Sequence, residues 1–202
     1  MTSAFFPKVL RKLRHPVAEW SLWLGVPLIL YFTGLHTDVL AGAQRVVLAT
    51  GLLRPETHTA AAAPVPADYN LTLLTLDGKQ TSLRDLKGKV IFLNLWASWC
   101  PPCIAEMPGI EQLYREADTS RVAFVMLSLD ENPDKARKLM KRKKFSFPAY
   151  TPGSRMPNVY ATQSIPTTFV ISKRGEIVVR HEGMADYGSA EFKAYLSKLA
   201  NQ

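Results

Sequence analysis

The sequence predicts an α/β domain, a small sandwich of sheet and helices, behind an N-terminal transmembrane anchor. Three observations lead there. The run "WSLWLGVPLILYFTGLHT", Trp20 to Thr37, has no charged side chain. Two continuous apolar stretches, "KVIFLNLW" and "RVAFVMLSLD", flank a segment of helical periodicity. A hairpin pattern and a final amphipathic segment then complete an alternating strand and helix order.

Starting from the N-terminus, the apolar run would rise about 27 Å as a helix at ~1.5 Å per residue, close to a bilayer's hydrocarbon thickness. Trp20, Trp23 and Tyr31 suit the two interfaces, and membrane helices tolerate Gly25 and Pro27 better than soluble ones do. Lys8, Arg11, Lys12 and Arg14 precede the run, whereas Arg45 is the one Lys or Arg shortly after it. The positive-inside rule therefore assigns residues 1–19 to the cytoplasm, 20–37 to a single transmembrane helix and the remainder to the far side. A cleavable signal peptide is the alternative, since Ala41-Gly42-Ala43 has the small-x-small form of a cleavage site. Asp38 before that site, and the length of the run, favour an uncleaved anchor. On either reading the cysteines face an oxidising compartment.

Residues 38–54, "DVLAGAQRVVLATGLL" and Arg54, mix Val39, Val46, Val47 and Leu48 with Gln44, Arg45 and Thr50. This is the pattern of an amphipathic juxtamembrane helix lying on the bilayer surface, with packing on the exported domain as the alternative. The Ala/Pro-rich residues 55–68 read as a linker. A globular head then covers 69–202, and no internal repeat is visible.

Within the head, "YNLTLLTLDGKQTSL" is a hairpin turned at Asp77-Gly78. Lys89 to Trp96 is a strand buried on both faces. Residues 101–117 form a helix with Met107, Ile110, Leu113 and Tyr114 on one side. "RVAFVMLSLD" is a second buried strand, and "NPDKARKLMKRKKF" a helix opened by Pro133. "TTFVISKRGEIVVRHEG" is a hairpin about Lys173-Arg174-Gly175, and Phe192, Tyr195, Leu196 and Leu199 mark a last helix.

The formal net charge of +8 and pI near 9.6 raise the question of nucleic acid. Much of the excess sits in the pre-anchor cluster and in Lys135, Arg137, Lys138, Lys141, Arg142, Lys143 and Lys144. The latter lie on an expected helix without interleaved aromatics, so they read as a solvated face or a surface for acidic partners or membrane phosphates. Nucleic acid is not among the expected partners.

The chain has two cysteines, both in "NLWASWCPPC". Cys100 falls where a strand has ended and a helix begins, so free N–H groups and the helix dipole favour its thiolate, the nucleophilic form. Pro101 and Pro102 suit the first turn, where N–H groups have no helical partner. Cys103, one turn on, can attack a mixed disulfide on Cys100 and release the product. Cys100 is thus expected as an accessible attacking thiol and Cys103 as the resolving one. A purely structural disulfide is disfavoured, because so short a loop constrains the unfolded chain little. Zinc lacks a second Cys/His pair, with histidines scattered at 15, 36, 58 and 181. Copper held by the pair with His181 or Met107 stays open.

"WASWCPPC" followed by "IAEMP" and, further on, "YATQSIPTTFVIS" resembles the membrane-anchored thioredoxin-like proteins of the TlpA/ResA/CcmG (DsbE) type, across roughly residues 69 to 202. The resemblance implies a thioredoxin-like three-layer sandwich and a Cys100/Cys103 dithiol exchanging electrons with disulfides in the bacterial periplasm. Pro108 matches a helix kink, and Pro166 the family's cis-proline opposite the cysteines. A cis turn there would offer the backbone of Ile165 to an extended substrate, as in strand addition. Trp99, Pro101, Pro102, Ile165 and Pro166 are then the expected substrate contacts. Glu106, one turn beyond Cys103, matches an acid that handles its proton; a partly buried carboxyl has the raised pKa this needs. Asn94 stands where thioredoxin has a buried aspartate, which shifts proton handling toward Glu106. Ser164 stands where relatives often have glycine. Trp96 is expected in the core.

The reading is a thiol–disulfide oxidoreductase at the bacterial inner membrane, without cofactor or metal. The resemblance further implies a reductive direction, a membrane-embedded thiol-electron donor, and exported disulfide proteins as substrates, apocytochrome c among them. The rivals are a disulfide oxidase on the same fold, a copper metallochaperone or assembly module, and a scaffold with idle cysteines.

Overall fold

The computed structural model describes residues 16–33, 35–50, 53, 55 and 65–202, with side chains described from Trp23 onward. The chain divides into two compact units, one ending at His36 and the other spanning Thr37–Gln202.

In the first unit, α1 (Pro16–Thr33) contains Pro27 and shows solvent Trp23, Leu24, Leu28, Ile29 and Phe32. The predicted single helix over 20–37 is divided. Thr33 turns its hydroxyl back to the carbonyls of Ile29 (2.7 Å) and Leu30 (3.3 Å), capturing backbone at the helix end. A second helix, α2 (Leu35–Ala49), follows. No single helix among the described residues is long and apolar enough to cross a membrane; Trp23–Thr33 and Leu35–Ala49 meet the criterion only as a broken pair.

From Thr37 on, α2 belongs with the head. Thr37, Ala41 and Leu48 are buried, whereas Val39, Leu40, Val46 and Val47 are exposed. Asp38 pairs with Lys143 at 2.8 Å and Arg142 at 3.2 Å, and the Leu53 carbonyl accepts from Asp186 N–H at 3.0 Å. The helix expected on a bilayer surface therefore has one face docked on the head, the alternative left open by its sequence. Periodicity identifies two faces but not which neighbour covers each.

The head is built on an eight-stranded sheet ordered β1-β8-β7-β4-β5-β6-β2-β3. Its strands are β1 (Val65–Pro66), β2 (Thr72–Thr75), β3 (Gln80–Ser82), β4 (Val90–Trp96), β5 (Val122–Ser128), β6 (Ala149–Pro152), β7 (Thr167–Ile171) and β8 (Glu176–Glu182). Pairing is parallel for β4 with β5 and β5 with β6, and antiparallel elsewhere. Two strands differ from expectation. Val65 and Pro66, assigned to the linker 55–68, pair with Ile177 and Glu176. Ala149–Pro152, too short and polar for an alternation signal, is recruited because β2 and β5 flank it.

Alternation along the central strands makes two cores. Val90, Phe92 and Trp96, with Phe124 and Met126, meet α3 (Pro101–Glu116), α4 (Pro133–Lys143) and α5 (Ala190–Asn201). On the other face Ile91, Leu93, Leu95, Val125, Leu127 and Phe169 meet Leu71, Leu83 and Tyr160, the last two from short 3-10 turns. Phe92 contacts the rings of Phe124, Tyr187 and Phe192 at 5.1–6.2 Å and is fully buried. This packing fixes the end of β4, and with it the start of α3, against the rest of the head. Burying one such ring contributes about 1.5–3 kcal/mol.

Candidate active site

Cys100 is the N-cap of α3, and its sulfur accepts from the Cys103 N–H at 3.2 Å. Pro101 and Pro102 occupy the first turn, which lacks intrahelical acceptors for N–H groups, so the local sequence costs the helix nothing there. Cys100 and Cys103 form a disulfide. The Ile165–Pro166 bond is cis, and the Ile165 carbonyl oxygen lies 3.8 Å from Cys100 Sγ. Trp99 is 59% exposed beside the pair. Pro101, Pro102 and Ile165 are half-buried and Pro166 is buried. The structure thus gathers Trp99, Cys100, Pro101, Pro102 and Cys103 on one loop and helix start, with Ile165 against the first sulfur.

One expectation needs correction. Cys100 is only 3% exposed, and Cys103 1%. In the disulfide, Sγ of Cys100 lies between the Cys103 N–H and the Ile165 carbonyl. The oxidised pair is buried. When it is reduced, the same N–H and helix terminus are what would stabilise a thiolate on Cys100.

Behind the pair lies a buried polar cluster. Glu106, 1% exposed, accepts from Asn94 Nδ2 (2.8 Å) and from Ala185 N–H (3.2 Å). Asn94 Nδ2 also donates to Thr168 Oγ1 at 2.9 Å. Burial pushes the Glu106 carboxyl up from 4.5 to about 8, with the bonds from Asn94 and Ala185 opposing. Tyr187, also fully buried, is kept neutral by burial first and by Glu106 second. Glu106 is therefore a mostly protonated acid near neutrality that can exchange its proton at modest cost. Its two hydrogen bonds go to Asn94 and Ala185, and none runs to Cys103.

A model of the redoxin family matches residues 60–196, which covers both cysteines, Glu106 and the Pro166 loop.

The chain belongs to the redoxin family.

It is 31% identical over 162 residues to a thiol-disulfide oxidoreductase ResA of Bacillus cereus, covering 80% of this chain and 91% of that one. It is 36% identical over 116 residues to the thioredoxin-like protein YneN of Bacillus subtilis, covering 56% of this chain and 68% of the relative. Among solved structures, a thioredoxin-family thiol:disulfide interchange protein from Chlorobium tepidum TLS superposes with a TM-score of 0.58 at 29% identity, over 70% of this chain and 99% of that one. This is a redoxin of the TlpA/ResA/CcmG type, with a thioredoxin-like fold and thiol–disulfide oxidoreductase activity.

Several residues of the redoxin's site have no place in the sequence reading. Asp130 accepts from Ser98 N–H (2.9 Å), Ser98 Oγ (2.7 Å) and Ser128 Oγ (2.8 Å), clamping the loop before Cys100 to the end of β5. Its position at the carboxyl end of a parallel strand was the available signal. Thr168, Ala185 and Tyr187 reach Glu106 or its partners from distant segments and carry no local signal. Of the proposed copper supplements, Met107 is fully buried in the core and His181 pairs with Thr168 across β7 and β8. Among the described residues no group of three or more His, Cys, Asp or Glu is arranged to hold a metal ion. A cavity of about 320 Å³ lies between the far end of α3 and α5, away from the cysteines.

Proposed function

We propose that this redoxin is held at the bacterial inner membrane by its N-terminal apolar segment, with the head in the periplasm, and reduces disulfides of exported proteins. The observation that carries the reading is the Cys100–Cys103 disulfide at the start of α3, with the Ile165 carbonyl against its outer sulfur. Orientation rests on the Lys/Arg excess before the apolar run. The reductive direction and the apocytochrome c substrate come from the family resemblance. A membrane-embedded thiol donor would restore the dithiol.

In this mechanism an extended substrate pairs with the backbone of Ile165 and packs on Trp99, Pro101, Pro102 and Pro166. The Cys100 thiolate forms a bond to one substrate sulfur, and the substrate's S–S bond breaks, its electron pair leaving on the other sulfur. In the fraction of molecules whose Glu106 is ionised, Cys103 gives its proton to that carboxylate, and its sulfur attacks Cys100. The Cys100–Cys103 bond forms and the second substrate thiolate departs. Two electrons have moved from protein to substrate, and Glu106 retains one proton. Because the acid titrates near the working pH, it can serve in both directions of the exchange.

Cys103→Ser tests the reading, since it keeps the attacking sulfur and removes the resolving one. Cells carrying it should accumulate mixed disulfides with exported proteins, and alkylation trapping should find the wild-type pair mostly reduced. A folded variant that captures no partner, with donor present, would refute the enzyme's proposed role; a mostly oxidised wild-type pool would favour an oxidase. Carbonate extraction tests the anchor separately: release of the intact chain into the soluble fraction excludes it.

A further inference from the structure

The α2 helix lies before the family-matched residues 60–196, yet Ala41 and Leu48 are part of the head's core. What it covers is the stretch of α3 just past the cysteines. A cavity of about 160 Å³ lies there, lined by Arg45, Leu48 and Ala49 of α2, Glu106 and Gly109 of α3, and Asp186. Arg45 Nε is buried without an acceptor among the described residues. Leaving such a donor unsatisfied costs about 1–3 kcal/mol, and the cavity that Arg45 lines is where a small shift of its side chain would meet water. Arg45, Glu106 and Asp186 give the space polar walls, and it is large enough for several waters. Toward the start of α3, Cys100 and Cys103 are buried, as is Pro166.

We propose that this cavity is the proton port of Glu106: water held between Arg45 and the carboxyl connects it to bulk solvent along α2, on the side of α3 away from the substrate face. The port rests on the reading of Glu106 as the proton partner of Cys103. After each reduction of substrate, Glu106 holds the proton taken from Cys103. That proton passes to a cavity water and then to bulk, which returns protons to the released substrate thiolates. The charged groups around the path are Arg45 from α2 and Asp186 from the loop before α5. Asn94, Thr168 and Tyr187 face Glu106 from β4, β7 and the same loop as neutral groups. An element outside the residues matched by the redoxin model thereby sets how fast the buried acid resets, while the substrate side stays dry.

The test reads the port without turnover. Oxidised full-length protein in nanodiscs at about pH 6, below the raised Glu106 titration, is mixed rapidly into D2O. The carboxylic C=O stretch, assigned by its loss in Glu106→Gln, is followed as COOH becomes COOD. Ala49→Phe, at an exposed position, fills the cavity, and Arg45→Met removes the water's anchor; each should slow exchange by about tenfold or more. Leu48→Ala, which widens the passage, should speed it, and Val46→Ala on the exposed face of α2 should leave it unchanged. Native circular dichroism with wild-type exchange rates in all three cavity variants would overturn the port. A normal turnover rate in Glu106→Gln would instead defeat the carboxyl's role in the chemistry, and leaves the exchange result standing.

Discussion

Replacing Glu106 by Gln removes one titration and keeps a side chain of nearly equal size. In the folded protein burial raises the carboxyl from 4.5 to about 8. Below the unfolded value both states hold the proton, and the group contributes no pH dependence. As pH rises through that value the unfolded chain releases a proton that the folded chain keeps, so wild-type stability falls until the folded carboxyl also ionises near 8. At ~1.4 kcal/mol per pH unit, the unfolding free energy of Glu106→Gln should gain about 3 kcal/mol on wild type between about pH 5 and about pH 7.5. A second effect offsets part of this at every pH. Glutamine has one acceptor oxygen, whereas Glu106 accepts from both Asn94 and Ala185; losing one of those bonds costs about 1–2 kcal/mol. The two stability curves should therefore cross, with the variant weaker in acid and stronger near neutrality. The assay is urea unfolding of the oxidised full chain in mild detergent, followed by tryptophan fluorescence at closely spaced pH values. The disulfide keeps both cysteines out of the titration. A difference that stays flat with pH would refute the reasoning, because it would mean that Glu106 titrates alike in both states.

Asp130→Ala removes two hydrogen bonds from the loop before Cys100 and one from Ser128 at the end of β5; it should lower stability by about 2 kcal/mol and slow exchange with a small disulfide, read as kcat/KM. A Cβ at Gly109 would stand 3.0 Å from the backbone nitrogen of Gly188. Gly109→Ala should therefore displace the 185–188 loop that holds Glu106, costing about 1–3 kcal/mol and moving the carboxylic C=O band. Phe92→Ala, which opens the ring cluster with Phe124, Tyr187 and Phe192, should cost about 3–5 kcal/mol in denaturant unfolding.

Legibility differed from element to element for physical reasons. β4, α3, β5, α4 and the β7–β8 hairpin were readable because each carries its own period and its own stop signals. The strand Val65–Pro66 was not, since a two-residue edge exists only by pairing with β8. The break after Thr33, where its hydroxyl turns back onto Ile29, is not announced by an apolar run. The cysteine pair was legible to its helix position, but its near-complete burial was not. That follows from where the Ile165 carbonyl comes to rest, 65 residues along the chain from Cys100.

The sequence by itself determined the chemistry's position: a sulfur at a strand-to-helix junction, two prolines in the opening turn, and a second sulfur one turn later. Those are near-neighbour facts, set by backbone geometry over four residues. Only the tertiary structure decided the environment of Glu106. Its partners lie 12 and 79 residues away along the chain, and α2, well before Glu106 in the chain, comes to wall its cavity. Desolvation is a property of everything packed around a group, so no stretch of sequence beside Glu106 could have set its proton affinity.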